Sequence, residues 1–522
     1  MKRIGIVGAG ISGTLKALVF SRLRCPDGGK MFQVELLEAA DRPYPGASLF
    51  MPHCHLGEQY ILDAKSATVR VPNSSLLKIC SPDYAFTDKK TRCAITEQTR
   101  ESGRFTANHY DWYNATIRPE YEQVCQSVAS LLNVPLEVAE GLLFGSSKEG
   151  EFCRSLTPRE LEPYHSSKMG RITDGTLTPA VGLNISEMQA AIMQALESAD
   201  NVKIRYKYSI KSIKTDRENK KYLLTTHRKD SAVIENLDGV VLAAGAGSHA
   251  IEGLPTRPAL KAYRRAMVRL DISRISPELQ ETIYLMLETK GAIFSCYNNN
   301  KAVAAMQDFS YLPGDQIITS EQPYLDQRWR RKVNTKARRE FALECLQDRF
   351  EFLGELEPEN VESIHGAYSF NTAEGDISER VYMPVSEPMP GCFADYLMKG
   401  SDVMRSTIEC VEMALARLAQ PNMDLQTAPS ISEIYQLVVP GLTDPDYHYN
   451  LKNLAAVDAT PHKLRIGFMG AAEWQNLEAD FIANQIFNGI GLREKASDFN
   501  NVPPELKRRL ERGLESRGID MI

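Results

Sequence analysis

The spacing of apolar positions changes twice within the first forty residues. Lys2–Val7 is a short run containing Ile4, Ile6 and Val7, the composition of a strand buried in a parallel sheet. Residues 14–23 then place Leu15, Leu18 and Val19 on one face, which predicts a helix. A second strand, Val34-Glu35-Leu36-Leu37, ends at Glu38. Further on, the pattern predicts a helix over 186–196, a strand at 202–204 and a buried strand at 240–243. Strands at 266–270 and 292–296, a long helix over 329–352 and a strand at 361–364 follow. Residues 466–469 read as a strand leading to a helix over 477–488, and 503–518 as an exposed amphipathic helix. Strands alternating with helices point to an α/β architecture. No internal repeat or low-complexity tract interrupts the chain.

Chemistry enters at the first strand–helix turn, which reads Gly8-Ala9-Gly10-Ile11-Ser12-Gly13. Strand, Gly-x-Gly-x-x-Gly, helix, strand and acid stand in the order of a dinucleotide-binding unit. Gly8 permits the tight turn, Gly10 lets the backbone approach a pyrophosphate, and Gly13 lets helix and strand pack closely. Ile11 and Ser12 open the helix, where amide N–H groups and the dipole favour negative charge. Glu38 is placed to accept hydrogen bonds from a ribose diol, and its charge disfavours a 2′-phosphate. Glu38 lies 25 residues beyond Gly13, a lengthening explained by the Pro26-Asp27-Gly28-Gly29 turn. The motif alone leaves NAD and FAD open.

Composition sets the remaining bounds. At 522 residues the chain is long enough for two to four domain-sized units. With Lys and Arg at 61 against Asp and Glu at 67, the net charge of −6 gives no chain-wide nucleic-acid footprint. The basic run from Arg328 to Arg339 therefore reads as a solvated helix face, with Trp329, Val333 and Phe341 turned inward. No apolar run reaches the length of a membrane span, and the N-terminal apolar stretch is a strand, not a secretory signal. The ten cysteines form no Cys-x-x-Cys pair and show no zinc-ligand spacing, so a cytoplasmic protein with reduced thiols and no metal is expected.

Downstream of Glu38 come Gly46-Ala47-Ser48 and His55-Leu56-Gly57-Glu58-Gln59-Tyr60. Later the chain reads Leu156-Thr157-Pro158-Arg159-Glu160-Leu161-Glu162-Pro163, and then Val240 through Ala243 runs into Ala244-Gly245-Ala246-Gly247-Ser248. In these segments the chain resembles the FAD-dependent oxidoreductases of the D-amino-acid oxidase and glycerol-3-phosphate dehydrogenase superfamily. The resemblance implies FAD as cofactor, with Ala47 and Ser48 in the turn after the ribose acid and His55 and Tyr60 beside the flavin ring. It further implies a strand at Ile210 near the adenine and a second flavin-contacting turn at Ala244 and Gly245. Two segments compete to close the site. Pro390-Gly391-Cys392 leads to Lys399 and Arg405, but Met398 stands where the family has glycine. Ile466 to Gly470, then Ala471-Ala472-Glu473, has the cleaner strand–turn–helix grammar, placing Gly470, Ala471 and Glu473 at the cofactor.

The implied architecture is a discontinuous Rossmann-like FAD-binding domain (1–64, 161–255 and 371–490) with a mixed-sheet substrate-binding domain (256–370). Residues 65–160 read as an insertion or cap and 491–522 as a helical tail. The implied activity is hydride removal from a C–N or C–O bond of a small amine or hydroxy-acid-type substrate, with the electron acceptor open. His55 is the first choice for the proton-handling group, because imidazole titrates nearest neutral pH, and a loop-orienting histidine is the alternative. His365, after the 361–364 strand, is the second choice. Arg380 and Arg405 are bidentate carboxylate or phosphate binders by type, or else structural ion-pair partners. Lys399 suits the edge of a reduced flavin. A flavin monooxygenase, and a non-catalytic flavin-binding protein on the same scaffold, remain open as alternatives.

Overall fold

The computed structural model describes residues 1–418 apart from several connecting segments, the longest being 24–29, 46–52, 137–152, 307–315, 319–334 and 373–381. The expected strand at 466–469, the helices over 477–488 and 503–518, and Gly470, Ala471 and Glu473 lie outside the described residues. So do Ala47, Ser48, Arg380, Lys399 and the first part of the basic run.

Six strands form the sheet that carries the glycine motif. They are Lys2–Val7 (β1), Phe32–Glu38 (β2), Val202–Tyr206 (β3), Gly239–Leu242 (β4), Ser386–Met389 (β5) and Cys392–Ala394 (β6). Their order is β5-β6-β4-β1-β2-β3, parallel throughout except for β5 at the edge. Sequence order and spatial order diverge most beside β1, which has β2 on one side and β4 on the other. Helix α1 (Ile11–Arg22) leaves β1 and is buried from Ile11 to Ser21, its polar residues Ser12, Thr14, Lys16 and Ser21 included. It packs against the helices Ile185–Glu197 and Val403–Leu418. A three-stranded antiparallel sheet, Ile210–Asp216, Lys221–Thr226 and Val233–Leu237, adds Ile213, Leu224 and Leu237 to a second core with Val7, Leu37 and Leu242.

A second large sheet has nine strands. Its longest pair, Leu260–Asp271 and Val361–Thr372, runs antiparallel. Thr91–Thr96, from the segment read as an insertion or cap, sits inside this sheet, parallel to Thr282–Met286 and antiparallel to Ile172–Thr178. The strand hides in the sequence because five of its six residues are buried, so it shows no inside–outside alternation. Ile172–Thr178 likewise belongs to this sheet and not to the parallel one. The basic helix is also shorter than its pattern suggests. It spans Lys336–Gln347, after which Phe350 and Phe352 turn inward against Phe294, with ring centroids 5.8 and 5.3 Å away. A small sheet, His53–Cys54 with Val181–Leu183 and Ala85–Phe86, carries the segment leading to His55. Among the described residues no helix is long and apolar enough to cross a membrane.

Candidate functional site

The glycine turn is closed by contact. A Cβ built on Gly13 would lie 1.8 Å from the carbonyl oxygen of Gly8, and one on Gly8, whose φ is +104°, would lie 2.7 Å from that of Ala243. Any side chain at either position would push the turn off the end of β4. Beyond the turn, both oxygens of the buried Glu38 carboxylate accept backbone protons. Ala9 N donates to Oε2 at 2.7 Å and Ala40 N to Oε1 at 2.9 Å. A carboxylate has about four acceptor positions, so two remain for a diol. The backbone leading to Ile210 lies alongside, with Tyr208 N donating to Glu38 O at 2.8 Å. Tyr44 packs over the turn: its amide donates to Ala9 O and its hydroxyl lies 3.1 Å from Thr14 Oγ1. Gly8 to Gly13, Glu38, Ile210, Ala244 and Gly245 are thus gathered around the C-terminal ends of β1, β2 and β4. Ile210 itself turns its side chain into the core.

Among the described residues, β6 and the helix Val403–Leu418 that follows it adjoin this place. Asp395 leaves the end of β6, its amide donating to Leu242 O at 2.8 Å. Its Oδ2 accepts from Ser12 Oγ at 2.5 Å, Lys16 Nζ at 2.5 Å and Ser406 Oγ at 3.0 Å. Lys16 and Asp395 are both fully buried, one in the middle of α1 and the other just past the apolar end of β6. Sequence reasoning passed over both, although a lysine flanked by Leu15, Ala17 and Leu18 was a visible signal.

Helices Ala64–Cys80 (α2) and Val403–Leu418 (α3) build a second polar cluster. Arg70 and Asn73 of α2 donate to Asp402 Oδ1, which lies just before α3, with Asn73 Nδ2 at 2.7 Å. All three are fully buried. Burial works against the charge on Arg70, yet the adjacent Asp402 carries its pKa upward. Ser66 Oγ on α2 and, just before α3, Ser401 Oγ and Asp402 Oδ2 are buried and have no partner among the described residues. Arg405 is engaged within α3 instead: its Nε donates to Glu409 Oε1 at 2.9 Å and its guanidinium stacks 3.9 Å from the Tyr382 ring centroid. Burial raises the Glu409 pKa against the pull of Arg405.

His55 is buried, with its ring 5.7 Å from that of Tyr60 and the Arg70 guanidinium 5.7 Å from the Tyr60 ring centroid. These contacts join the His55–Tyr60 segment to α2. A third histidine supports the segment from beneath. His109, fully buried, has Nδ1 2.8 Å from Thr176 Oγ1 and Nε2 3.0 Å from Glu58 O. A carbonyl only accepts, so Nε2 carries the proton and Nδ1 accepts from the threonine hydroxyl. Burial lowers the His109 pKa to about 4. His365 stands elsewhere, half-buried on the large sheet opposite Met267. Among the described residues no group of three His, Cys, Asp or Glu side chains is arranged to hold a metal ion.

No protein-family model matches the chain, and no curated protein sequence does. Solved structures do. Glycine oxidase from Geobacillus kaustophilus superposes with a TM-score of 0.51 at 14% identity, over 82% of this chain and 98% of that one. NikD, an unusual amino acid oxidase essential for nikkomycin biosynthesis, gives 0.53 at 14% identity, over 80% and 97%. L-α-glycerophosphate oxidase from Mycoplasma pneumoniae, with FAD bound, gives 0.50 at 15% identity, over 81% and 97%. At these identities the likeness is one of fold.

Proposed function

We propose, from a fold shared with the FAD-dependent oxidoreductases of the D-amino-acid oxidase and glycerol-3-phosphate dehydrogenase superfamily, that this chain binds FAD and oxidises a small amine or hydroxy acid. The observation that carries the reading is the meeting of the glycine turn, Glu38 and Asp395 at the carboxyl ends of β2, β1, β4 and β6, where strand order reverses beside β1. Ligands of open parallel sheets bind at such a reversal. The residues fit the group: the glycine turn has no room for a Cβ at Gly8 or Gly13, Glu38 keeps two acceptor positions for a ribose diol, and Asp395 Oδ1 is buried without a partner among the described residues.

Bound there, FAD supplies the hydride acceptor. The protein's part is to position the substrate and handle its proton. His55, held between Tyr60 and α2, is the proposed proton acceptor from the substrate amine or hydroxyl, and Tyr60 helps to hold the substrate. His365 is the comparison residue on the large sheet. The ion pair with Glu409 gives Arg405 a structural task, which leaves Arg380 and Lys399 as the proposed anion-binding positions. A flavin monooxygenase would use the same glycine turn, and no observation among the described residues favours it.

Anaerobic mixing of the purified protein with a panel of amino acids, secondary amines and hydroxy acids tests the proposal. Bleaching of the flavin band by one class supports it, and stopped-flow reoxidation then identifies the acceptor. A protein that binds flavin but is bleached by none is the non-catalytic alternative.

A further inference from the structure

We propose that Lys16 is a positioning residue that keeps Asp395 paired and turned toward the bound dinucleotide, so that its buried cation sets cofactor affinity. The inference rests on the FAD reading above and extends it to a residue that touches no ligand.

Three elements meet at Lys16. Its Nζ donates to Ser12 Oγ at 2.9 Å, to Asp395 Oδ2 at 2.5 Å and to Ser406 Oγ at 3.1 Å. An ammonium has three protons, so the group is satisfied by the first turn of α1, the end of β6 and the first turns of α3. On the other side, Asp395 Oδ2 accepts from Ser12, Lys16 and Ser406, while Oδ1 accepts from nothing among the described residues. One carboxylate oxygen is saturated and the other is left over. A buried acceptor in that state calls for a donor.

Ser12 belongs to the turn proposed to hold the pyrophosphate, so the missing donor is assigned to a hydroxyl of the bound dinucleotide. A carboxylate beside a pyrophosphate is tolerable only if its charge is cancelled, and Lys16 cancels it without exposing a cation to solvent. Burial of a lone charge is expensive, so the pair must be kept or lost together.

The full-length protein is stripped of flavin and reconstituted with FAD. Dissociation constants come from flavin fluorescence, and the thermal midpoint is measured with and without FAD. Lys16→Met should weaken FAD on the order of 100-fold, because it leaves Asp395 unpaired beside the anion. It should also abolish most of the FAD-induced rise in midpoint. The neutral pair Lys16→Met/Asp395→Asn should recover affinity to within about 10-fold of the parent, because neither buried charge remains. Lys16→Met with parental FAD affinity, even at a lower flavin-free midpoint, makes Lys16 purely structural and overturns the proposal. Should Lys16→Met fail to fold, Asp395→Ala decides, since unchanged FAD affinity without the acceptor overturns it equally. A parent protein that binds no FAD on reconstitution instead defeats the cofactor reading itself.

Discussion

Lowering the pH should cost this protein stability through His109 in a way that can be isolated. The imidazole is fully buried, and burial lowers its pKa to about 4, against an unfolded value near 6.5. Above pH 6.5 the ring is neutral in both states and exerts no pull. As pH falls through 6.5 the unfolded chain takes up a proton that the folded protein refuses, so stability is lost until about pH 4, where both are protonated. A displacement of this size corresponds to about 1 kcal/mol lost by pH 5.5 and about 3 kcal/mol in all. Many carboxylates titrate in the same range, so the informative quantity is a difference. His109→Gln keeps a polar side chain of similar reach but cannot titrate. Urea unfolding at pH 7.5, 6.5, 5.5 and 4.5 should show the parent losing about 1–3 kcal/mol more than the variant across the series. At pH 7.5 the variant should be the less stable by about 1–3 kcal/mol, because Thr176 and Glu58 lose well-placed partners. Parallel stability curves for the two proteins would refute the reasoning, since His109 would then titrate alike in both states.

Further expectations follow from other contacts. Gly13→Ala puts a methyl group 1.8 Å from Gly8 O, so flavin content should fall to background and the thermal midpoint should drop; full flavin occupancy would show that the turn can yield. Arg70→Met strands Asp402 in the interior, and chemical denaturation should show a loss of about 3–5 kcal/mol, smaller when Asp402→Asn is added; additive losses would mean the pair is not coupled. His55→Ala should slow single-turnover flavin reduction by roughly 10²–10⁴-fold with normal flavin content. A loss confined to His365→Ala would move the proton acceptor to the large sheet.

The parts that were legible in the sequence share a physical property: they are local. Lys2–Val7 and the glycine turn announce themselves because a buried parallel strand is uniformly apolar and the turn tolerates only glycine at its contact points. Glu38 was readable for the same reason, standing at the end of the next strand. The helix found at Ile185–Glu197 has a strong apolar face, and its bounds fall within a residue of the pattern. What the sequence hid is non-local. Thr91–Thr96 looks like loop because both of its faces are covered, and its partners lie at Ile172–Thr178 and Thr282–Met286. The Lys16–Asp395 pair spans 379 positions, and Arg70–Asp402 spans 332. Neither acid nor base in these pairs carries a local signature beyond an unexpected charge among apolar neighbours. Arg405 is an anion binder or an ion-pair partner by type, and only the fold shows that Glu409, one turn along the helix, pairs with it.

The central claim is that the turn from Gly8 to Gly13 and the carboxylate of Glu38 hold FAD. The most direct measurement is the absorption spectrum of the purified protein beside that of Gly10→Val, each followed by denaturation and chromatography of the released ligand. The account predicts a yellow parent that releases close to one FAD per chain, and a folded but colourless variant. A colourless parent that cannot be reconstituted with FAD, or a Gly10→Val protein with full flavin content, would contradict it.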